Sequence, residues 1–341
     1  MKYSLIILLL ISFGASAQKS CVQKLREARS AYEDGNIHII PDLLAACIND
    51  GFSKEEKTEA LKLQTLAYTY MDESNQADES MLQLLKTNPE FQMDPANDPQ
   101  ELIDLYATFR TKPLFRYGLK VGPNLSYGNA HSLNGATNLN NTEQAGAYSS
   151  GLGFQVGLTV EAPFKNKFSL NLEAIYASRT IVFENSQLVP GISEIEASEA
   201  LNTLDIPLSI QYHFIESKLN PYLLVGGNVS LAVSNNLTIR RTIKDHQEVK
   251  ENSFDIISMR ENLQYGIHAG IGMKSRVGPG FFVLEARFNY GLNNISKQAN
   301  IYDSPELIHD YYYTDSEHSV NSIAVNIGYL FNYYKPKKLR R

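Results

Sequence analysis

The sequence predicts an α+β chain of two domains: an N-terminal helical domain, then an eight-stranded antiparallel transmembrane β-barrel. Three observations predict it. The apolar period is helical from Cys21 to about Phe109 and switches to 2 after Thr111-Lys112-Pro113. In the second part the apolar rows hold no charged residue, while the rows between them hold acids, bases and many glycines. The connections alternate in length, with short links at 163–167, 215–220 and 276–280 and long ones at 128–150, 184–201, 240–260 and 293–319. Membrane barrels have this asymmetry.

The bulk numbers narrow the classes. The chain has 341 residues, 43% hydrophobic and 20% charged, with a formal net charge of -6. Mild acidity carries no electrostatic footprint for nucleic acid. A mean hydropathy of -0.26 is too polar for a bundle of membrane helices. Beyond the N-terminus no apolar run approaches the ~18 residues of a spanning helix.

Residues 1–17 read as a secretory signal peptide: Lys2, the apolar core Leu5 to Phe13, then Ala15-Ser16-Ala17 as the cleavage site before Gln18. The alternatives are an uncleaved anchor helix and a lipidated Cys21; the latter needs a Leu-type residue where Gln18 stands.

The helical domain spans 18–111. Cys21, Leu25, Ala28 and Tyr32 share one face, and Glu33-Asp34-Gly35-Asn36 ends the first helix. A second runs from about Ile39 to Asn49, with Pro41 in its first turn, where a missing N–H costs little. Ser53 with Glu56 is a capping box for a third, which carries Ala60, Leu63, Ala67 and Tyr70. A fourth carries Ala77, Met81, Leu84 and Leu85 and stops at Asn88-Pro89; a fifth runs from Pro99 to Phe109. In an antiparallel hairpin of the first two helices, Cys21 lies beside Cys47. A bridge there closes a loop of about 26 residues, worth about 3.5 kcal/mol in the chain-entropy model. Two independent buried thiols are the alternative. Ala60, Ala67, Tyr70, Ala77, Leu84 and the closing Asn88-Pro89 resemble one tetratricopeptide repeat, with a degenerate one before it. That resemblance implies a surface for proteins or peptides; a plain helical support is the other reading.

The barrel spans 112–334. Its apolar rows begin with Phe115, Tyr117, Leu119 and Val121, then Leu152 to Val160, Phe168 to Tyr176 and Leu204 to Phe214 on alternate residues. A fifth run starts at Pro221, and three more cover 263–271, 282–290 and 323–331. A soluble barrel turns the apolar row inward around a greasy ligand, whereas a membrane barrel turns it toward lipid. Small residues on the polar rows (Gly118, Gly122, Gly157, Gly266, Gly270) suit the narrow lumen of eight strands. Tyr127, Tyr212, Phe214, Tyr222, Tyr290, Tyr329, Phe331 and Tyr333 are candidate interface girdles. Both point to the membrane form. An even strand number puts both barrel ends on the short-turn side, read as periplasmic, so the helical domain is expected there too.

LDIPLSIQYHF followed by NPYLLVGGNVSLAV resembles the PorT-type outer-membrane β-barrel domain, at Ile206, Pro207, Pro221 and Tyr222. The resemblance covers roughly 115–334. It implies an outer-membrane barrel of a Gram-negative-type envelope, with some relatives in protein secretion machinery, and brings no catalytic residues.

Lys120, Glu173, Asp205, Glu285 and Arg287 fall on lumen rows, with Arg116 a further candidate. They are expected to interlock as ion pairs, with a conducting pore the alternative. No histidine sits in an HExxH motif or a tight metal pair; His213 and His268 fall on lumen rows. No catalytic, metal or cofactor site is therefore expected. Tyr311, Tyr312 and Tyr313, among acids in the last long loop, are candidate contacts for a partner or glycan, against a solvated loop. The tail, 335–341, is strongly basic, either solvated or touching lipid phosphates or partners. The expected partners are outer-membrane lipid and a periplasmic or outer-membrane protein. The expected role is non-enzymatic: a barrel anchoring a periplasmic protein-binding domain in a secretion or envelope-assembly complex. The alternative is a small porin or ligand-binding channel using the outer loops.

Overall fold

The structure is a computed structural model that describes residues 21–132, 146–165, 167–189, 193–215, 217–243, 249–297 and 304–339. The expected signal peptide lies outside the described residues. The chain divides into two units, 114–333 and the remainder.

The helical unit contains α1 (21–33), α2 (Ile40–Asn49), α3 (Lys54–Tyr70), α4 (Ser74–Thr87) and α5 (Gln100–Ala107). The capping box forms: the Glu56 amide donates to Ser53 Oγ at 3.2 Å, and the Ser53 amide to Glu56 Oε2 at 2.8 Å. Leu25, Ile40, Leu44, Leu61, Met81, Leu84 and Leu102 make one core. Cys21 and Cys47 form a disulfide, with Cα atoms 5.6 Å apart. Gly51 is required beside it. Its φ is +126°, and a Cβ there would meet Cys21 Sγ at 2.7 Å.

The described part of the C-terminal tail, 335–339, is not a separate segment. It belongs to the helical unit, where its backbone continues the hydrogen bonding of the residues after α5. The Arg110 amide donates to the Lys337 carbonyl at 2.9 Å and the Leu339 amide to the Thr108 carbonyl at 2.8 Å. Phe109 and Lys338 form an antiparallel bridge, and Lys338 pairs with Asp78. Composition marked the tail as charged, but backbone pairing with 108–110 leaves no mark in composition.

The second unit is one antiparallel sheet of β1 (Phe115–Ser132), β2 (Ala147–Lys165), β3 (Phe168–Val189), β4 (Ser193–His213), β5 (Leu219–Ile243), β6 (Val249–Asp255), β7 (Leu263–Val277), β8 (Gly280–Gly291) and β9 (Glu317–Tyr333). The strand order β4-β3-β2-β1-β9-β8-β7-β5-β6 closes through pairing of β4 with β5. Eight strands therefore make the ring. The ninth, β6, pairs only with β5, over Asn236–Arg241, above the point where β7 takes that edge. No open edge can face hydrocarbon, so closure is the condition for spanning lipid.

The apolar rows point outward. Leu152 is 69% exposed, Leu158 63% and Leu208 49%, while Lys120, Glu173, Glu285 and Arg287 are buried inside. A water-soluble fold reverses this. Rings gather at the short-turn end: Phe115 stacks on Tyr333 at 4.6 Å, and Tyr212 lies 5.1 Å from Phe168 and 5.4 Å from Phe214. Tyr222 is not in that girdle. On β5 the outward residues are odd-numbered, so Tyr222 points into the lumen, 1% exposed.

The long-loop end is more ordered than the sequence suggests. Within 184–201, expected as a loop, residues 184–189 continue β3 and 193–201 begin β4. Here the inward row becomes apolar: Ile181, Phe183, Ile195, Ala197 and Leu201 are buried. Above the lipid belt water lies outside, so the greasy face turns inward while the backbone keeps its register. On β5 the parity shifts at an irregularity opposite Asn202/Thr203, after which Leu237 and Ile239 face in. With Ile256, Met259 and a short helix α6 (Pro305–His309) they form a second core beyond the belt.

Candidate functional site: the barrel lumen and its outer cap

Glycines and short polar side chains on the inward rows leave room for long charged ones, and these reach across the ring. Nearest the short turns, Glu161 of β2 pairs with Arg116 of β1 at 2.7 Å and with Lys274 of β7. In an eight-membered ring β2 and β7 stand opposite, so the Lys274–Glu161 pair spans the lumen. Lys274 also donates to Gln211 Oε1 at 2.7 Å, and its ammonium lies 4.5 Å from the Tyr222 ring centre.

The next layer brings together four of the five expected residues. Lys120 Nζ lies 2.7 Å from Glu173 and 2.9 Å from Glu285. Arg287 closes the square, 2.5 Å from Glu173 and 2.7 Å from Glu285. Tyr222 donates to Glu285 at 2.7 Å. Asp205, the fifth, stands apart in a third layer, 2.5 Å from Arg179 and accepting from Thr203 at 2.7 Å. Two cations facing two carboxylates offset the desolvation that a lone buried charge would suffer. Glu161, Lys274 and Arg179 complete the network without being singled out in the sequence, and Tyr222, expected in the girdle, joins it instead. Glu161 stood at the edge of its apolar run. Lys274 and Arg179 lay just past the strand ends that hydrophobic alternation defines. His268 is buried on the lumen side, as is His213, whose Nδ1 is 2.9 Å from Asn220 Oδ1.

A cavity of about 30 Å³ opens above Asp205, lined by Arg179, Asn228, Ser230 and Gln264 among others. That is room for about one water.

Beyond the belt, Arg260 is wholly buried. It grips Glu199 through two 2.8 Å hydrogen bonds and reaches Asp315 with its other amino group. Asn235 donates to Glu199 at 2.6 Å. Burial pushes the Glu199 carboxyl up, but the Arg260 charge overcomes this and holds it at about 2. The same opposition leaves Arg260 well above its ordinary value, the two acids outweighing burial. Burial, then the Asp315 charge, raises the Tyr313 phenol.

The three tyrosines expected as loop contacts divide. Tyr311 and Tyr313 are core, their rings against Phe254 at 5.8 Å and Phe183 at 5.9 Å. Tyr312 alone points out, with φ +56° and the Arg241 guanidinium 4.2 Å from its ring centre. The left-handed backbone at Tyr312 lets both neighbours turn inward. Among the described residues no group of three or more His, Cys, Asp or Glu could hold a metal ion.

Among known structures the barrel is similar to Neisserial surface protein A, at 14% identity and a TM-score of 0.31, covering 64% of this chain and 97% of that one. It is similar to the outer membrane protein OprG from Pseudomonas aeruginosa, at 14% identity and 0.35, covering 65% and 98%. It is also similar to the outer membrane protease OmpT from Escherichia coli, at 8% and 0.31, covering 64% and 96%. No curated protein matches the chain. Residues 94–297, more than half of the chain, match a family described as outer membrane protein beta-barrel domain. The protein belongs to the outer membrane protein beta-barrel domain family.

Proposed function

We propose that this protein is a non-enzymatic anchor of the outer membrane. Its barrel holds a tetratricopeptide-like helical unit in the periplasm, where that unit binds protein partners of a PorT-type secretion or envelope-assembly complex. The observation that carries the reading is the pairing of side chains from opposite strands, Lys274 of β7 with Glu161 of β2 and Arg287 of β8 with Glu173 of β3. Side chains that meet across the ring fill it, and a filled eight-stranded lumen serves as a pillar rather than a conduit. The even number of ring strands supports the placement of the helical unit at the short-turn side.

The test is conductance of the purified full chain in planar bilayers, together with photo-crosslinking from exposed Tyr70 and Ile39 of the helical unit in cells. The anchor reading expects no steady channels and the same envelope protein captured from both positions. Steady open channels, or crosslinks to lipid alone, would overturn it in favour of a small pore.

A further inference from the structure

Among the described residues, exposed acids and bases mix at the long-loop end, where Glu196 stands opposite Arg240, whereas cations prevail at the short-turn end. At the long-loop end the exposed outer face of β3 and β4 carries Glu184, Glu194 and Glu196. At the short-turn end the turns carry cations. From the end of β2 to the start of β3 the sequence reads Phe164-Lys165-Asn166-Lys167-Phe168, the β4–β5 turn holds Lys218, and Arg276 stands in the last residues of β7. All four cations are exposed. The turns are neighbours: the His213 amide donates to the Lys167 carbonyl at 2.8 Å, and the Arg276 amide to the Lys218 carbonyl at 3.3 Å. They form one basic arc along the rim.

Directly beside the arc runs a line of outward rings. Phe164 lies 6.0 Å from Phe168, which lies 5.1 Å from Tyr212, which lies 5.4 Å from Phe214. Lys165 and Lys167 are each one residue from a ring of that line. Among the described residues Lys165, Lys167 and Lys218 have no acidic partner. Glu216, in the same turn as Lys218, lies outside the described residues.

We propose that this arc is a binding site for the phosphate of an anionic glycerophospholipid, whose acyl chains lie along Phe164, Phe168, Tyr212 and Phe214. A phosphodiester tied to two acyl chains matches cations set one residue from lipid-facing rings. Free phosphate would leave the rings unused. A zwitterionic lipid brings its own cation, which the lysines repel. A lysine held at a membrane surface favours an anionic lipid by about fivefold at low salt, and salt weakens the preference. The inference rests on the reading of the short-turn end as the periplasmic rim, in a leaflet of glycerophospholipid.

The full chain, without residues 1–17, is folded into nanodiscs of equal phosphatidylglycerol and phosphatidylcholine, transferred to detergent, and the retained lipid identified by native mass spectrometry. The wild type is expected to retain phosphatidylglycerol over phosphatidylcholine by roughly tenfold or more. The triple variant K165Q/K167Q/K218Q should retain both equally, while K165R/K167R/K218R keeps the preference. Equal retention by the wild type, or an undiminished preference in the glutamine variant, overturns the proposal. Heat-shifted electrophoretic mobility reports barrel folding in each sample. Failure to fold in either lipid overturns the membrane reading itself, and this site with it.

Discussion

Arg260 and Glu199 meet side-on above the lipid belt, with Nε and one Nη each 2.8 Å from a carboxylate oxygen and both residues almost fully buried. One comes from the segment before β7 and the other from β4. The pair therefore pins the outer loops to the wall, and Asp315 fixes the approach to β9 from the other side.

Removing one partner strands the other in a desolvated site. Arg260→Met is expected to destabilise the outer cap by about 3–5 kcal/mol. Amide exchange should rise across 249–262 and 304–318, while the β1–β2 ladder stays protected. Arg260→Met combined with Glu199→Gln should recover much of that loss.

The cap should also loosen in acid. Glu199 sits at about 2 in the folded protein, against about 4.3 for an unperturbed glutamate. A depressed folded value means stabilisation that is complete above about pH 4.3 and drains away as pH falls through about 2. His318, 3.9 Å from Glu199, and Asp315, across Arg260, face the same site. Near-UV circular dichroism of the packed tyrosines should hold from pH 7 to 5 and fade between about 4 and 2. Glu199→Gln should flatten that part of the transition.

Lys120 is the shared cation of the central lumen square. Lys120→Met leaves Glu173 and Glu285 facing each other with Arg287 alone between them, a loss of about 3–5 kcal/mol. Urea unfolding from lipid vesicles measures it. Adding Glu173→Gln should restore stability toward wild type, since two carboxylates then no longer compete for one guanidinium.

Opening the Cys21–Cys47 bridge releases a loop of about 26 residues in the unfolded chain. Cys21→Ser with Cys47→Ser should lower the stability of the helical unit by about 3.5 kcal/mol. Limited proteolysis should cut within 21–50 of the variant sooner, with barrel mobility on gels unchanged.

Much of this was legible because lipid imposes a simple rule on a strand. Every second residue from Leu204 to Phe214 must be greasy, and that alternation marks the strand whatever its neighbours. The same rule hid the rest. Past Tyr176 the apolar row passes from even to odd residues, Ile175 and Ala177 leading to Ile181 and Phe183, so a search for one continuous row stops at the membrane surface. Lys274 and Arg179 were lost with those strand ends. Glu285 and Arg287, two apart in the middle of an apolar run, could only face the lumen. Which side chains meet was not legible, because pairing across the ring depends on closure order: Lys274 finds Glu161 only once β2 and β7 stand opposite. Tyr311 and Tyr313 looked like loop residues because their partners, Phe254 and Phe183, are distant in sequence.

The orientation of the apolar rows is tested most directly by nitroxide labels placed singly at Val156, Leu208 and Ser209 in the refolded full chain, whose native cysteines are bridged. Labels at 156 and 208 should relax strongly with molecular oxygen, which partitions into acyl chains, and weakly with a water-soluble nickel chelate; the label at 209 should be shielded from oxygen. Labels at 156 and 208 that are immobilised and shielded from oxygen, in protein that stays dissolved without detergent, would mean that the apolar rows line an interior and that no membrane is crossed.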